Sequence, residues 1–333
     1  MKLTRVAMTT ALAVTSIALS AGAVQSAKKD LKGSIKIDGS STVYPITEAV
    51  AEAFADVAPD VRITVGISGT GGGFKRFVIG ETDISDASRP IKGKESDEAK
   101  KGNVEYIEIP VAFDGLSIVV NKSNYWCDSL TVDELKKVFL DGSTVKTWKD
   151  IRSDWPASPI KLFAPGTDSG TFDYFKEVVA GDKGAIRSDM SVSENDNILV
   201  SGVSGDEGGL GFFGCAYYFE NKDKLKIVKI VNPKTGEAME PTPQTIETGT
   251  YAPFSRPLFI YVNKASMAKP EVKAFVDFYM TNAAKMATEV GYVRLPQAIY
   301  DRAKANIAKN RIGSQYLNEK GEKVEGSILD VYK

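Results

Sequence analysis

Three stretches of the chain put small hydroxyl side chains and glycine at strand-to-helix corners: Gly39-Ser-Ser-Thr42, Ser68-Gly-Thr-Gly-Gly-Gly73 and Ser169-Gly-Thr171. The first turn of a helix leaves backbone N–H groups unpaired, and the helix dipole adds partial positive charge there. Ser41 and Thr42, Ser68 to Thr70, and Ser169 to Thr171 add hydroxyl donors, so each corner is a seat for an oxyanion. Taken singly, such a corner is also what a helix cap looks like, with Asp168 or Ser169 bonding its own backbone. Arg89 supplies a fixed cation whose planar fork matches two oxygens of a tetrahedral anion. Asp86, three residues earlier, is the odd member of the set. A carboxylate only accepts hydrogen bonds, so beside an anion it demands a ligand with a proton to donate. Hydrogen phosphate has one and sulfate has none, so Asp86 is expected to select phosphate over sulfate. The alternative from spacing alone is a structural Asp86–Arg89 ion pair at a strand end.

Other chemistry is excluded or unsupported. The 333 residues contain no His, which removes His-containing triads, His-ligated zinc and imidazole acid–base work. A secreted serine hydrolase using Ser169 would need Lys or Asp as its base, and no SxxK motif stands beside it. Gly69-Thr-Gly-Gly-Gly73 does not complete GxGxxG, because Phe74 stands at the last glycine; GxxxxGK[ST] and GxSxG are absent. At a net charge of −1 nothing argues for nucleic acid or an anionic membrane as partner, and no metal or cofactor is called for.

The elements that position these corners follow from periodicity. Residues 1–26 read as a cleaved signal peptide, with Lys2 and Arg5 ahead of an apolar run and small residues after it. Ser34 to Asp38 and Val61 to Ile67 alternate as strands, and Asp83 to Ala87 is a third. Val43, Ile46, Val50, Ala53 and Phe54 share one helical face. These βαβ units predict an α/β fold with mostly parallel, doubly wound sheets and ligands beyond the strands' carboxyl ends. Ile107 to Val120 and Pro253 to Val262 read as two crossovers. They divide the chain into an outer domain, 27–112 with 256–333, and a central domain, 113–255, closing on a ligand cleft. Thr131 to Glu134 is a capping box, Asn195 to Val203 a helix, and Pro270 to Glu289 and Pro296 to Asn310 two more. The polar tail from Asn310 onward is expected to be loosely held. Cys127 and Cys215 form a possible disulfide in an oxidising compartment, two buried thiols being the alternative.

Gly39-Ser-Ser-Thr-Val-Tyr-Pro45, Asp83-Ile-Ser-Asp-Ala-Ser-Arg-Pro-Ile91 and Gly166-Thr-Asp-Ser-Gly-Thr171 resemble the phosphate-binding protein of the phosphate-specific ABC transporter, the PstS family. The resemblance runs over most of the chain beyond the leader. It implies a type II periplasmic-binding-protein fold, inorganic phosphate in the cleft, and delivery by a periplasmic monomer to an inner-membrane permease and ATPase. It implies phosphate contacts from Thr42 with the Val43 amide, Ser68, Asp86, Ser169, Gly170 and Thr171, with Ser41, Ser88 and Gly69 as further candidates. Some members carry an Arg just before the last motif; here Phe163-Ala-Pro-Gly-Thr has none, which leaves Arg89 as the cation, as in the branch with a Ser-Arg-Pro segment. The choice between Ser68 and Thr70 stays open. Sulfate or molybdate would be the alternative cargo, and Asp86 argues against both.

Overall fold

A computed structural model describes residues 31–333 apart from 168, 182, 183 and 194. The proposed signal peptide lies outside the described residues. The chain opens with strand β1 (Gly33–Gly39), helix α1 (Tyr44–Ala55), β2 (Val61–Ile67), α2 (Gly69–Phe77), β3 (Ile84–Ala87) and α3 (Gly93–Lys101). The long strand β4 (Tyr106–Asn121) follows, then β5 (Ser129–Leu130), α4 (Val132–Phe139), α5 (Trp148–Ile151), β6 (Lys161–Pro165) and α6 (Gly170–Ala180). Next come β7 (Ser191–Ser193), α7 (Asp196–Gly205), β8 (Gly209–Gly214), α8 (Cys215–Glu220), β9 (Leu225–Val231), β10 (Ala238–Met239) and α9 (Pro243–Glu247). The chain ends with β11 (Ser255–Asn263), α10 (Pro270–Glu289), α11 (Gln297–Ala308) and α12 (Ile328–Val331).

The sheet runs β2-β1-β3-β11-β4-β8-β6-β7, and β9 also pairs with β4. β1 is parallel to β2, with Gly33 opposite Val61 through Gly39 opposite Ile67, and parallel to β3. The expectation of a mostly parallel sheet needs correcting at the join. β11 is antiparallel to both β3 and β4, and β4 is antiparallel to β8 and β9. The reason is that the two long connections pair with each other: β4 meets β11 from Tyr106 to Gly115 and then meets β8 and β9 from Leu116 to Asn121. All sixteen residues of β4 are buried, which accounts for its continuous apolar run.

Helices cover both faces. α1 and α10 pack on one face of the first half, where Phe54 meets Phe275 edge-on at 5.4 Å; Phe74 and Phe77 of α2 pack on the other with Tyr106 and Tyr261. In the second half, Phe175 of α6 stacks on Phe212 at 3.8 Å, and Leu199, Val200 and Val203 of α7 fill the opposite side. The capping box is present: the Glu134 amide donates to Thr131 Oγ1, and the Thr131 amide donates to Glu134 Oε2. Trp148 opens a short helix capped by Thr147 and Asp150.

Of the two readings of the cysteines the second holds, and the expectation of a loose tail fails. Cys127 and Cys215 are free and buried. Cys215 follows Gly214, which pairs with Leu116, whereas Cys127 lies beyond Asn121 at the far end of the same strand. Several residues of strand at about 3.3 Å each separate the two, beyond the ~7 Å that a bridge spans. The tail is also firmly docked. Ser314 Oγ and the Gln315 amide donate to the buried Glu108 carboxylate, Tyr332 donates to the Glu108 carbonyl, and Arg302 holds the Leu329 and Tyr332 carbonyls.

Candidate functional site

The carboxyl ends of β1, β2 and β3 lie along one edge, so the corners that follow them converge. They open on a cavity of about 470 Å3 lined by Ser41, Thr42, Thr70, Ser88, Arg89 and Arg256, among others. Arg89, Lys92, Lys176 and Arg256 line it together with Asp173 and Glu177, an excess of cations that suits an anion. The first turn of α2 forms part of the wall. Gly69 has φ of +73°, and neither Gly69 nor Gly71 has an atom within 4 Å of where a Cβ would stand. The backbone there is bare to the cavity, in a conformation glycine adopts without strain.

The expected residues fall into three groups. Thr42, Ser88 and Arg89 line the cavity together with Ser41 and Gly69. Ser41 Oγ donates to Asp173 of α6, and Thr42 Oγ1 donates to the Gly170 carbonyl at 3.3 Å, so the first corner touches the third. Thr70, not Ser68, meets Ser88: the Ser88 amide donates to Thr70 Oγ1 at 3.1 Å, and the two hydroxyls are 3.0 Å apart. Ser68 turns away and donates to Asp38, which also accepts from Arg76.

A second group is engaged in capping. Ser169 Oγ accepts from the Thr171 amide, as the plain cap reading anticipates. The Thr42 amide donates to Ser40 Oγ and the Val43 amide to the Ser40 carbonyl, both at 3.2 Å. The side chain of Val43 lies in the core. Gly170 must be glycine, since a Cβ there would lie 2.4 Å from Thr42 Cα.

Asp86 forms the third group alone. It is fully buried, its Oδ1 accepts from Thr47 of α1, and its Oδ2 has no partner among the described residues. Its Oδ1 faces Thr47, whose hydroxyl also meets that of Tyr279, and Asp86 is not among the residues that line the cavity. Burial pushes its pKa up to about 8, with the Asp38 charge adding to the rise and the Thr47 hydrogen bond opposing it. It makes no pair with Arg89. The Arg89 fork instead holds Glu95 bidentately, at 2.9 and 2.8 Å, over the Phe74 ring.

The sequence reading missed Arg256. It sits on β11 opposite Asp114 of β4, where the two crossing strands pair. Its Nε donates to the fully buried Asp114 at 3.3 Å, its Nη1 to Glu177 at 3.1 Å and its Nη2 to Thr42 Oγ1 at 3.2 Å. The guanidinium lies 3.6 Å from the Tyr174 ring centroid, within cation–π reach. Burial raises the Asp114 pKa, and the Arg256 charge opposes that rise. A signal existed: Ser255-Arg256-Pro257 on β11 repeats the Ser-Arg-Pro of residues 88–90, which directly follows β3, and β11 pairs with β3.

An α/β fold with an anion-suited cavity at the carboxyl ends of its first strands, beside Arg256 of the second crossing strand, defines a solute-binding architecture, and the comparisons agree. The chain belongs to the PBP superfamily, whose model matches residues 24–283, and within it to the family of the PstS and SphX proteins. It is 49% identical over 301 residues to Protein SphX of Synechococcus elongatus, covering 90% of this chain and 88% of that one. It is 41% identical over 312 residues to Phosphate-binding protein PstS of Staphylococcus aureus, covering 91% and 93%. A possible phosphate binding protein from Planctomyces limnophilus has a solved structure that is 46% identical, covers 85% of this chain and all of its own, and superposes with a TM-score of 0.82. An ABC-type phosphate transport receptor from Vibrio cholerae, 24% identical, shares the fold at a TM-score of 0.61, over 79% of this chain and 100% of its own.

Proposed function

We propose that this chain captures hydrogen phosphate outside the cytoplasmic membrane and delivers it to the permease and ATPase of an ABC importer. The observation that carries this reading is the cavity at the ends of β1 to β3, where Arg256 reaches Thr42 beside the bare first turn of α2. Its support from relatives is the printed name of a 41% identical protein, Phosphate-binding protein PstS. Arg256 is the principal cation, since its Nη2 already reaches Thr42 Oγ1 in the cavity, whereas both Nη atoms of Arg89 are turned to Glu95. Thr42, Thr70 and Ser88 supply hydroxyls, and the α2 amides supply N–H donors. The weak internal bonds of the Thr42, Val43 and Thr171 amides are ones that phosphate oxygens replace on binding, while Ser41, Ser68 and Ser169 hold the corners in shape. Asp86 supports the site from behind. The acceptor that demands a protonated anion is Glu177, which lines the cavity and touches Arg256.

The protein acts as a monomer without catalysis, exported by a leader over residues 1–26. It closes by bending between an outer domain, 27–112 with 256–333, and a central domain, 113–255. Calorimetric titration with phosphate, arsenate and sulfate tests the reading. Phosphate and arsenate should compete for one site and sulfate should give no heat; heat from sulfate matching that from phosphate contradicts it.

A further inference from the structure

Two of the corners place a serine directly ahead of a helix, Ser169 before α6 and Ser68 before α2. A serine in that position characteristically accepts from an amide of the first turn. Ser169 does so, with the Thr171 amide on its Oγ at 3.2 Å. Ser68 makes no such bond. Its hydroxyl is not remote from the turn, since a Cβ on Gly72 would lie 2.8 Å from its Oγ. The Ser68 proton goes instead to Asp38 Oδ2, at 2.8 Å.

Asp38 is the last residue but one of β1, is 2% exposed, and is not among the residues that line the anion cavity. Arg76 of α2 donates to the same Oδ2 at 2.9 Å, and its Nε donates to Glu81 at 3.2 Å. On the β2 side, a Cβ on Gly66 would lie 2.7 Å from Oδ1. The carboxylate is therefore fixed, and as an ionised acceptor it outcompetes a neutral one for the orientation of the Ser68 hydroxyl. Charge alone gives no reason for this placement, because a carboxylate behind an anion site repels the ligand. The first-turn N–H groups of α2 have no intrahelical partner, so whatever keeps Ser68 off them keeps them available.

We propose that Asp38 is a positioning residue for the anion site: by taking the Ser68 hydroxyl it stops that serine from capping α2 and leaves the first-turn amides open to phosphate oxygens. The inference rests on the function proposed above and deepens it. Asp38 touches no ligand atom, and its effect passes through Ser68.

The test is calorimetric titration of the full chain with inorganic phosphate in four forms: wild type, Asp38→Ala, Ser68→Ala and the double variant, with a urea melt of each. Asp38→Ala should weaken phosphate about fivefold to tenfold, the scale of one cap bond, because Ser68 then turns onto the α2 amides. Ser68→Ala alone should stay within about threefold of wild type, and the double variant should recover most of what Asp38→Ala loses, since alanine cannot cap. Asp38→Val, which suits a strand and also lacks an acceptor, replaces Asp38→Ala if that variant does not fold. Unchanged or tighter binding by Asp38→Ala overturns the inference, leaving Asp38 as a mere neighbouring charge. A loss that Ser68→Ala does not repair, with a lowered urea midpoint, overturns it too and makes Asp38 a structural tie. A tenfold loss in Ser68→Ala alone returns Ser68 to direct contact with the ligand and contradicts the proposed route. Each of those results leaves the phosphate reading standing; absence of heat from phosphate with the wild-type chain removes that reading and the inference with it.

Discussion

Arg256 and the carboxylates around it decide the local electrostatics. Removing one member of a buried pair leaves the other charge uncompensated, at about 3 kcal/mol or more. Arg256→Ala should therefore lower stability by roughly that amount through the stranded Asp114, and weaken phosphate binding about tenfold to a hundredfold through lost charge-assisted bonds. Adding Asp114→Asn should restore much of the urea midpoint but none of the affinity; recovery of affinity would reduce Arg256 to a structural role. Glu177→Gln should raise sulfate binding relative to phosphate by roughly tenfold, since an amide can donate to an unprotonated oxygen. Unchanged selectivity in competition titrations would return the acceptor role to another group. Asp86 has a different signature. Its folded pKa of about 8 lies above the ordinary aspartate value, so between those two values the folded protein holds a proton that the unfolded chain has released. Stability should fall as pH rises through that window, and Asp86→Asn should flatten part of the fall. Urea melts at about pH 5 and about pH 8 measure the slope, and an identical slope in the variant would show that Asp86 ionises normally.

At the scale of elements, the contact between corners is the point of interest. The start of α6 meets the residues before α1 so closely that Gly170 has no room for a methyl group beside Thr42. Gly170→Ala should leave far-UV circular dichroism unchanged yet weaken phosphate at least tenfold by holding the corners apart; full affinity would mean that the contact is incidental. This contact was only partly legible in the sequence. Strands and helices with a clear period, such as α1, β4 and α10, were readable because burial on one face, or on both, dictates residue type. The Ser-Gly-Thr corners were readable as helix starts, because capping uses few residue types. Which hydroxyl faces the cavity was not, as the roles of Ser68 and Thr70 show: Asp38 on β1 captures one and Ser88, just past β3, the other. The same reasoning explains Asp86. Its place at the end of β3 was correctly read, but strand alternation turns its carboxyl toward α1 and Thr47.

The whole molecule is organised by two crossing strands that pair with each other and carry the cation at their junction. Their existence showed in two long apolar runs, but their antiparallel register, and hence the meeting of Arg256 with Asp114, depends on a pairing over 142 residues that no local pattern reports. The docked tail escaped notice for a similar reason. Its polar composition suggested looseness, whereas Ser314, Tyr332 and the Lys333 carbonyl find partners on β4 and α11, far away in sequence. Phosphate is expected to sit where Arg256, Thr42 and the start of α2 converge. A crystal structure of the full chain grown with phosphate tests it most directly. Tetrahedral density should lie within about 3 Å of Arg256 Nη2 and Thr42 Oγ1, hydrogen-bond distance. An anion bound with Arg256 still engaged only by Asp114 and Glu177, or one placed away from α2, would contradict it.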